Sequence, residues 1–100
     1  SYATLIIYPD FFFYYPNAFT PNGDGNNDIY KGYGVGIANY QMQIFDRWGH
    51  RLFETNNVDI GWDGTFKGKK VEPGVYVVKF DLLSYKGEEK QYISHVILVR

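Results

Sequence analysis

The last third of the chain alternates with a period of two along two long stretches joined by one tight turn. No other feature constrains the fold as strongly. In residues 75–85, Tyr76, Val78, Phe80 and Leu82 share one face, Lys86-Gly87 supplies a turn, and residues 88–99 return. Successive side chains of a strand point to opposite faces, so this pattern predicts a long hairpin and not a helix. The alternation recurs over 40–47, where Tyr40, Met42 and Ile44 lie on one face and Gln41 and Gln43 on the other. Trp48-Gly49 follows as a tight turn, with glycine able to take positive φ, and 50–54 returns as the partner strand.

The rest of the chain has no helical period of useful length. Residues 2–8 read as a first strand, interrupted by Pro9-Asp10, and 11–15 as an edge strand. Residues 16–28 are nearly all turn formers and read as a loop, 29–33 as a weak strand running into a bend at Gly32, Gly34 and Gly36. A polar loop at 55–59, a short strand and turn at 61–65, a basic turn around Gly68 and a turn at Pro73-Gly74 complete the pass. About seven strands with turn signals every 8–12 residues predict an all-β, immunoglobulin-like antiparallel sandwich. With 100 residues, a single domain over 1–100 is expected. The 20% of aromatic residues suits half-buried pleated surfaces.

Ten Lys+Arg against eleven Asp+Glu give a net charge of −1, which argues against a nucleic-acid partner. No apolar run is long enough for a membrane-spanning helix, and no signal peptide opens the chain. The absence of an initiating Met makes a piece of a longer protein the expectation, with Ser1 as an expression remnant the alternative. Cysteine is absent, which removes disulfides and thiol chemistry.

The sharpest local signal is the segment from Pro16 to Asp28, where oxygen-bearing side chains recur at Asn22, Asp24, Asn26 and Asp28 with glycines between. Alternate spacing lets a curled chain aim successive oxygens at one centre, as Ca²⁺ requires. An EF-hand is excluded, since no Glu stands at the twelfth position and no helices flank the loop. A loop held only by Asx-turns explains the same residues, and both readings stand.

Catalysis finds little support. Ser94 and His95 are adjacent in a strand and point apart; His50 reads as a solvated residue beside a turn. Asp24 and Asp28 form the one imaginable carboxylate pair for a hydrolase, with nothing nearby to raise the pKa of either. Trp48 and Trp62 read as caps on the ends of a sandwich core or as a sugar platform, which with the calcium loop would make a glycan-binding adhesin module. In the last strand Tyr92, Val96 and Leu98 share one face, while Ile93, Ile97 and Val99 share the other. One apolar face packs on the core. The second is either covered by the aromatic segment 11–15 or left open as a partner-binding surface.

Four ordered motifs resemble one family. Pro16-Asn17-Ala18-Phe19-Thr20-Pro21-Asn22-Gly23-Asp24-Gly25-Asn26-Asn27-Asp28, Ile44-Phe45-Asp46-Arg47-Trp48-Gly49, Gly61-Trp62-Asp63-Gly64 and Pro73-Gly74-Val75-Tyr76 are similar to motifs of the gliding-motility-associated C-terminal domains of Bacteroidota. These are type B sorting domains of the type IX secretion system. The resemblance covers 16–100, and the last strand departs from it at His95 and Ile97, where small polar residues are more usual. It implies a non-enzymatic C-terminal address that directs a larger secreted or surface protein, such as an adhesin, through the periplasm and across the outer membrane. Its implied partner is the type IX machinery, with a PorP-type outer-membrane barrel protein, and a monomer without membrane insertion of its own is expected.

Overall fold

The computed structural model describes residues 11–21 and 28–100. The strand expected at 2–8 lies outside them. The described residues form an all-β sandwich without helices. Its strands are β1 (Phe12–Tyr14), β2 (Ala18–Phe19), β3 (Tyr33–Val35), β4 (Ile37–Phe45), β5 (Arg51–Thr55), β6 (Thr65–Phe66), β7 (Lys69–Lys70), β8 (Gly74–Ser84) and β9 (Glu89–Leu98). The count is nine among the described residues, against about seven expected, because three of them are two-residue strands without a repeating pattern to announce them.

The main sheet has the order β2-β9-β8-β4-β5. The β8–β9 hairpin spans ten registered pairs, from Gly74↔Leu98 to Leu83↔Glu89, as the alternation predicts. β4 pairs antiparallel with β8 on one side and β5 on the other. Two short ribbons, β1–β3 and β6–β7, complete the architecture. In the β6–β7 turn Lys67 and Gly68 both adopt positive φ, 53° and 81°, the requirement of a two-residue type I′ turn.

Three local expectations differ from the fold. Within the presumed loop 16–28, Ala18 and Phe19 pair parallel with Ile97 and Leu98. The reason is Phe19, which is buried against Tyr30 and Trp62 and carries its neighbours to the sheet edge. In place of a strand at 29–33, Tyr30 makes one reciprocal backbone bridge to Trp62, both N–H···O distances being 2.8 Å. The strand instead begins at Tyr33 and runs through Gly34, whose missing side chain leaves room for the Phe12 carbonyl and Ile37.

The core lies on one face of the main sheet. Met42, Ile44, Val78 and Phe80 are fully buried there, beneath Tyr30 and Trp62 from the opposite layer. Fully burying each such aliphatic or aromatic side chain contributes about 1.5–3 kcal/mol. Phe13 of β1 meets Phe80 edge-on with ring centroids 4.9 Å apart and stacks on Tyr92 at 5.5 Å. A Cβ at Gly32 would lie 2.5 Å from the Phe13 ring, so only glycine lets β1 settle this close. Tyr76 donates its hydroxyl to the Glu72 carbonyl four residues upstream, the arrangement of a tyrosine corner, and its ring meets Trp62 edge-on.

Candidate functional site

Of the expected cation ligands, Asn22, Asp24 and Asn26 lie outside the described residues. Asp28 is half-buried and leads directly into the Tyr30–Trp62 bridge. Among the described residues no three carboxylates and histidines cluster as a metal site.

The described parts of the 16–28 segment are held differently. Beyond its last residue, Tyr30 is fixed by its bridge to Trp62. At Pro21, within the segment, the Arg100 side chain donates from Nη1 to the Pro21 carbonyl at 3.4 Å, and it also donates from Nη2 to Gly64 at 2.9 Å and from Nε to Val71 at 3.1 Å. One guanidinium therefore ties together the signature segment, the Gly61–Gly64 motif and the chain leaving β7. Its five fixed donors suit divergent acceptors that a lysine could not reach together. These acceptors are main-chain carbonyls, so no side-chain pattern announces them.

The two tryptophans separate. Trp62 is fully buried, with its indole N–H donated to the Thr65 carbonyl at 2.9 Å, and cannot contribute to a sugar platform. Trp48 is 73% exposed at the tip of the β4–β5 hairpin and caps no core. The Arg47 guanidinium stands 4.9 Å from its ring centroid. The turn beneath is built on Asp46. Its Oδ1 accepts from the backbone N–H of Trp48 at 2.9 Å and of His50 at 2.8 Å, and its Oδ2 lies 3.1 Å from the His50 ring. Desolvation opposes ionisation of Asp46, but the bonds from His50 and Trp48 outweigh it and hold the carboxyl below its ordinary pKa. His50 itself is solvated, as expected.

The second face of the last strand is open. Ile93, Ile97 and Val99 are 64%, 45% and 47% exposed. The segment 11–15 does not cover them, because Phe13 and Tyr15 pack on Phe80 and Tyr92, on the core side. Val75, opposite Ile97 in the register, is exposed beside them. The outer face of the main sheet thus divides in two. Over β4 and β5, Gln41 and Gln43 both donate to Glu54, and across the hairpin Gln91 donates to Asp81. Those polar groups satisfy one another, whereas the end bearing Val75, Ile97 and Val99 is apolar.

This apolar surface sits on a fold whose sequence falls in one family. Residues 13–98 match CHU_C, the type IX secretion signal domain. The chain belongs to that family. The CHU_C domain is a sorting signal, and membership implies interaction with the type IX secretion machinery and export to the cell surface or medium. The family is not one of enzymes. The crystal structure of CopC from Methylosinus trichosporium OB3b is similar in fold, with 22% identity over 71% of this chain and 74% of that one and a TM-score of 0.52. No curated protein sequence matches the chain. Against this family background, sequence reasoning singled out Ile93, Ile97 and Val99 but missed Arg47 as a surface cation and Arg100 as a tie. A guanidinium beside an exposed Trp at a hairpin tip is the signal that points to the first.

Proposed function

We propose that this domain is the type B address of a larger secreted or surface protein, such as an adhesin, and that it acts as a folded surface recognised by protein–protein contact. Its passenger reaches the periplasm first, and a PorP-type outer-membrane barrel protein is the partner that reads the signal. The observation that carries this reading is the exposure of Ile93, Ile97 and Val99 on the outer face of a sheet where Gln41 and Gln43 are paired with Glu54, and Gln91 with Asp81. Exposed apolar side chains grouped on one sheet face are a feature of interaction sites. Calcium held by Asn22, Asp24, Asn26 and Asp28 belongs to the same proposal. Extracellular sites of this ligand type work at millimolar concentration, which suits a domain that matures outside the cell.

The test is a fusion of residues 1–100 to a reporter that carries an export leader, expressed in a host with type IX secretion. Reporter outside the cell supports the reading. Reporter held in the periplasm, as without the domain, overturns it.

A further inference from the structure

At the β4–β5 turn end of the sheet two hollows adjoin, one on the outer face and one reaching round the sheet end to Tyr76, with Arg47 and Val75 as a common wall. One is lined by Arg47, Val75, Val77 and His95. The other has Leu52, Val71 and Pro73 among its lining, beside Trp48. Arg51, Lys79 and Lys90 each pair with a carboxylate on their own strand or turn, but Arg47 makes no ion pair among the described residues. Its guanidinium lies over the face of the exposed Trp48 ring. Asp46 does not answer it, because both its oxygens are committed to the backbone and ring of its own turn. Glu72 lines the second hollow and forms no ion pair there.

We propose that the Arg47 hollow binds a carboxylate side chain of the protein that reads this signal, carried on an apolar segment lying along Val75, Ile93 and Ile97 with Trp48 against its flank. The proposal rests on the sorting reading and gives it a partner chemistry. A guanidinium takes a carboxylate through two parallel bonds, and the Arg47 guanidinium lies over the Trp48 ring, 4.9 Å from its centroid. Arg and Trp are the residue types that most often dominate interface energy, typically inside an apolar patch. A lone cation beside apolar residues selects an acidic, apolar partner by charge complementarity. A membrane surface fits poorly, since the face lacks the cluster of basic residues that anionic lipids require.

The experiment compares export of the reporter fusion, with the melting of each purified domain as the check on folding. Arg47→Lys, which keeps the charge but loses the fork, is expected to export between wild type and Arg47→Gln, Arg47→Gln to lose about tenfold, and Arg47→Glu to fall to the level without the domain. Lys67→Glu, on the separate β6–β7 turn, is expected to export normally. Val75→Glu places a carboxylate in the same hollow, where it competes for Arg47 with that residue and Trp48 unchanged, so it repeats the test if Arg47→Glu unfolds; it too is expected to block export. A folded Arg47→Glu or Val75→Glu domain exporting as wild type overturns the proposal and leaves the sorting reading standing. So does Arg47→Lys losing as much as Arg47→Glu, because the charge is then not what is read. Failure of the unmodified fusion overturns the sorting reading itself, and this proposal with it.

Discussion

The Arg100 guanidinium donates to the carbonyl of Gly64 at 2.9 Å, and Gly64 holds φ at +81° beneath it. A Cβ at Gly64 would stand 3.2 Å from Arg100 Nη2 and 3.1 Å from Pro21 Cγ. Arg100, two residues beyond β9, and the turn after Trp62 are therefore fitted to each other. That fit is how a sheet edge, the signature segment and the β6–β7 ribbon are fastened at one point.

Arg100→Ala should cost about 1 kcal/mol, modest because the contacts are partly solvated. In a domain this size that lowers Tm by about 4–8 °C. Arg100→Lys should recover little of it, and Gly64→Ala should cost at least as much through its positive φ. The double variant should lose less than the sum, because the part of the Gly64→Ala loss that comes from a Cβ crowding Arg100 Nη2 disappears with Arg100. Additive losses in urea titrations would contradict this account.

Two buried tyrosines should respond oppositely to loss of a hydroxyl. The Tyr40 hydroxyl accepts from the Gly32 N–H at 3.3 Å and approaches Met42 Sδ at 3.6 Å. The Tyr30 hydroxyl is buried without a hydrogen-bond partner among the described residues. An unsatisfied buried polar group costs about 1–3 kcal/mol, so Tyr30→Phe should leave stability unchanged or raise it. Tyr40→Phe should lower it by about 1 kcal/mol. Tm values in the reverse order would show that Tyr30 has a partner.

The same pair governs alkaline stability. Burial pushes the Tyr40 pKa up to about 12, the Gly32 bond only partly opposing it. Burial, then the neighbouring Tyr15, Tyr40 and Tyr14, raises Tyr30 above its ordinary value too. A group whose pKa is raised on folding contributes its full stability below the unfolded value, here 10.0, and loses it as pH climbs towards the folded one. Stability should therefore fall between pH 10 and about 12, and Tyr40→Phe should flatten that fall. Phenolate absorbance rising at pH 10 in the folded domain with the amplitude of all ten tyrosines would contradict it.

For the proposed cation, Asp24→Ala and Asp28→Ala should lower Tm more in millimolar calcium than in chelator. Equal losses in both buffers, with a wild-type Tm indifferent to calcium, would leave the Asx-turn loop as the explanation.

Legibility followed sequence range. The β8–β9 hairpin was readable because alternation and Lys86-Gly87 lie side by side in the sequence, and β4 with β5 likewise around Gly49. The parallel pairing of Ala18 and Phe19 with Ile97 and Leu98 was not, since two residues carry no period and their partner lies far along the chain. Trp48 and Trp62 both sit by a glycine; only the distant bridge to Tyr30 decides that Trp62 is the buried one. At the candidate site, two apolar faces on one terminal strand already required that one of them find a cover or a partner. The Arg100 tie could not be foreseen, because any residue supplies a carbonyl.

The most direct measurement of the central claim is the fraction of reporter outside the cell for two fusions, one with the unmodified domain and one with Ile93, Ile97 and Val99 all changed to Thr. These side chains are exposed and threonine suits strands, so the variant domain should fold with Tm close to wild type. The unmodified domain should export its reporter and the folded triple variant should leave it in the periplasm. Export at full efficiency by the folded variant would show that this face is not what the secretion machinery reads.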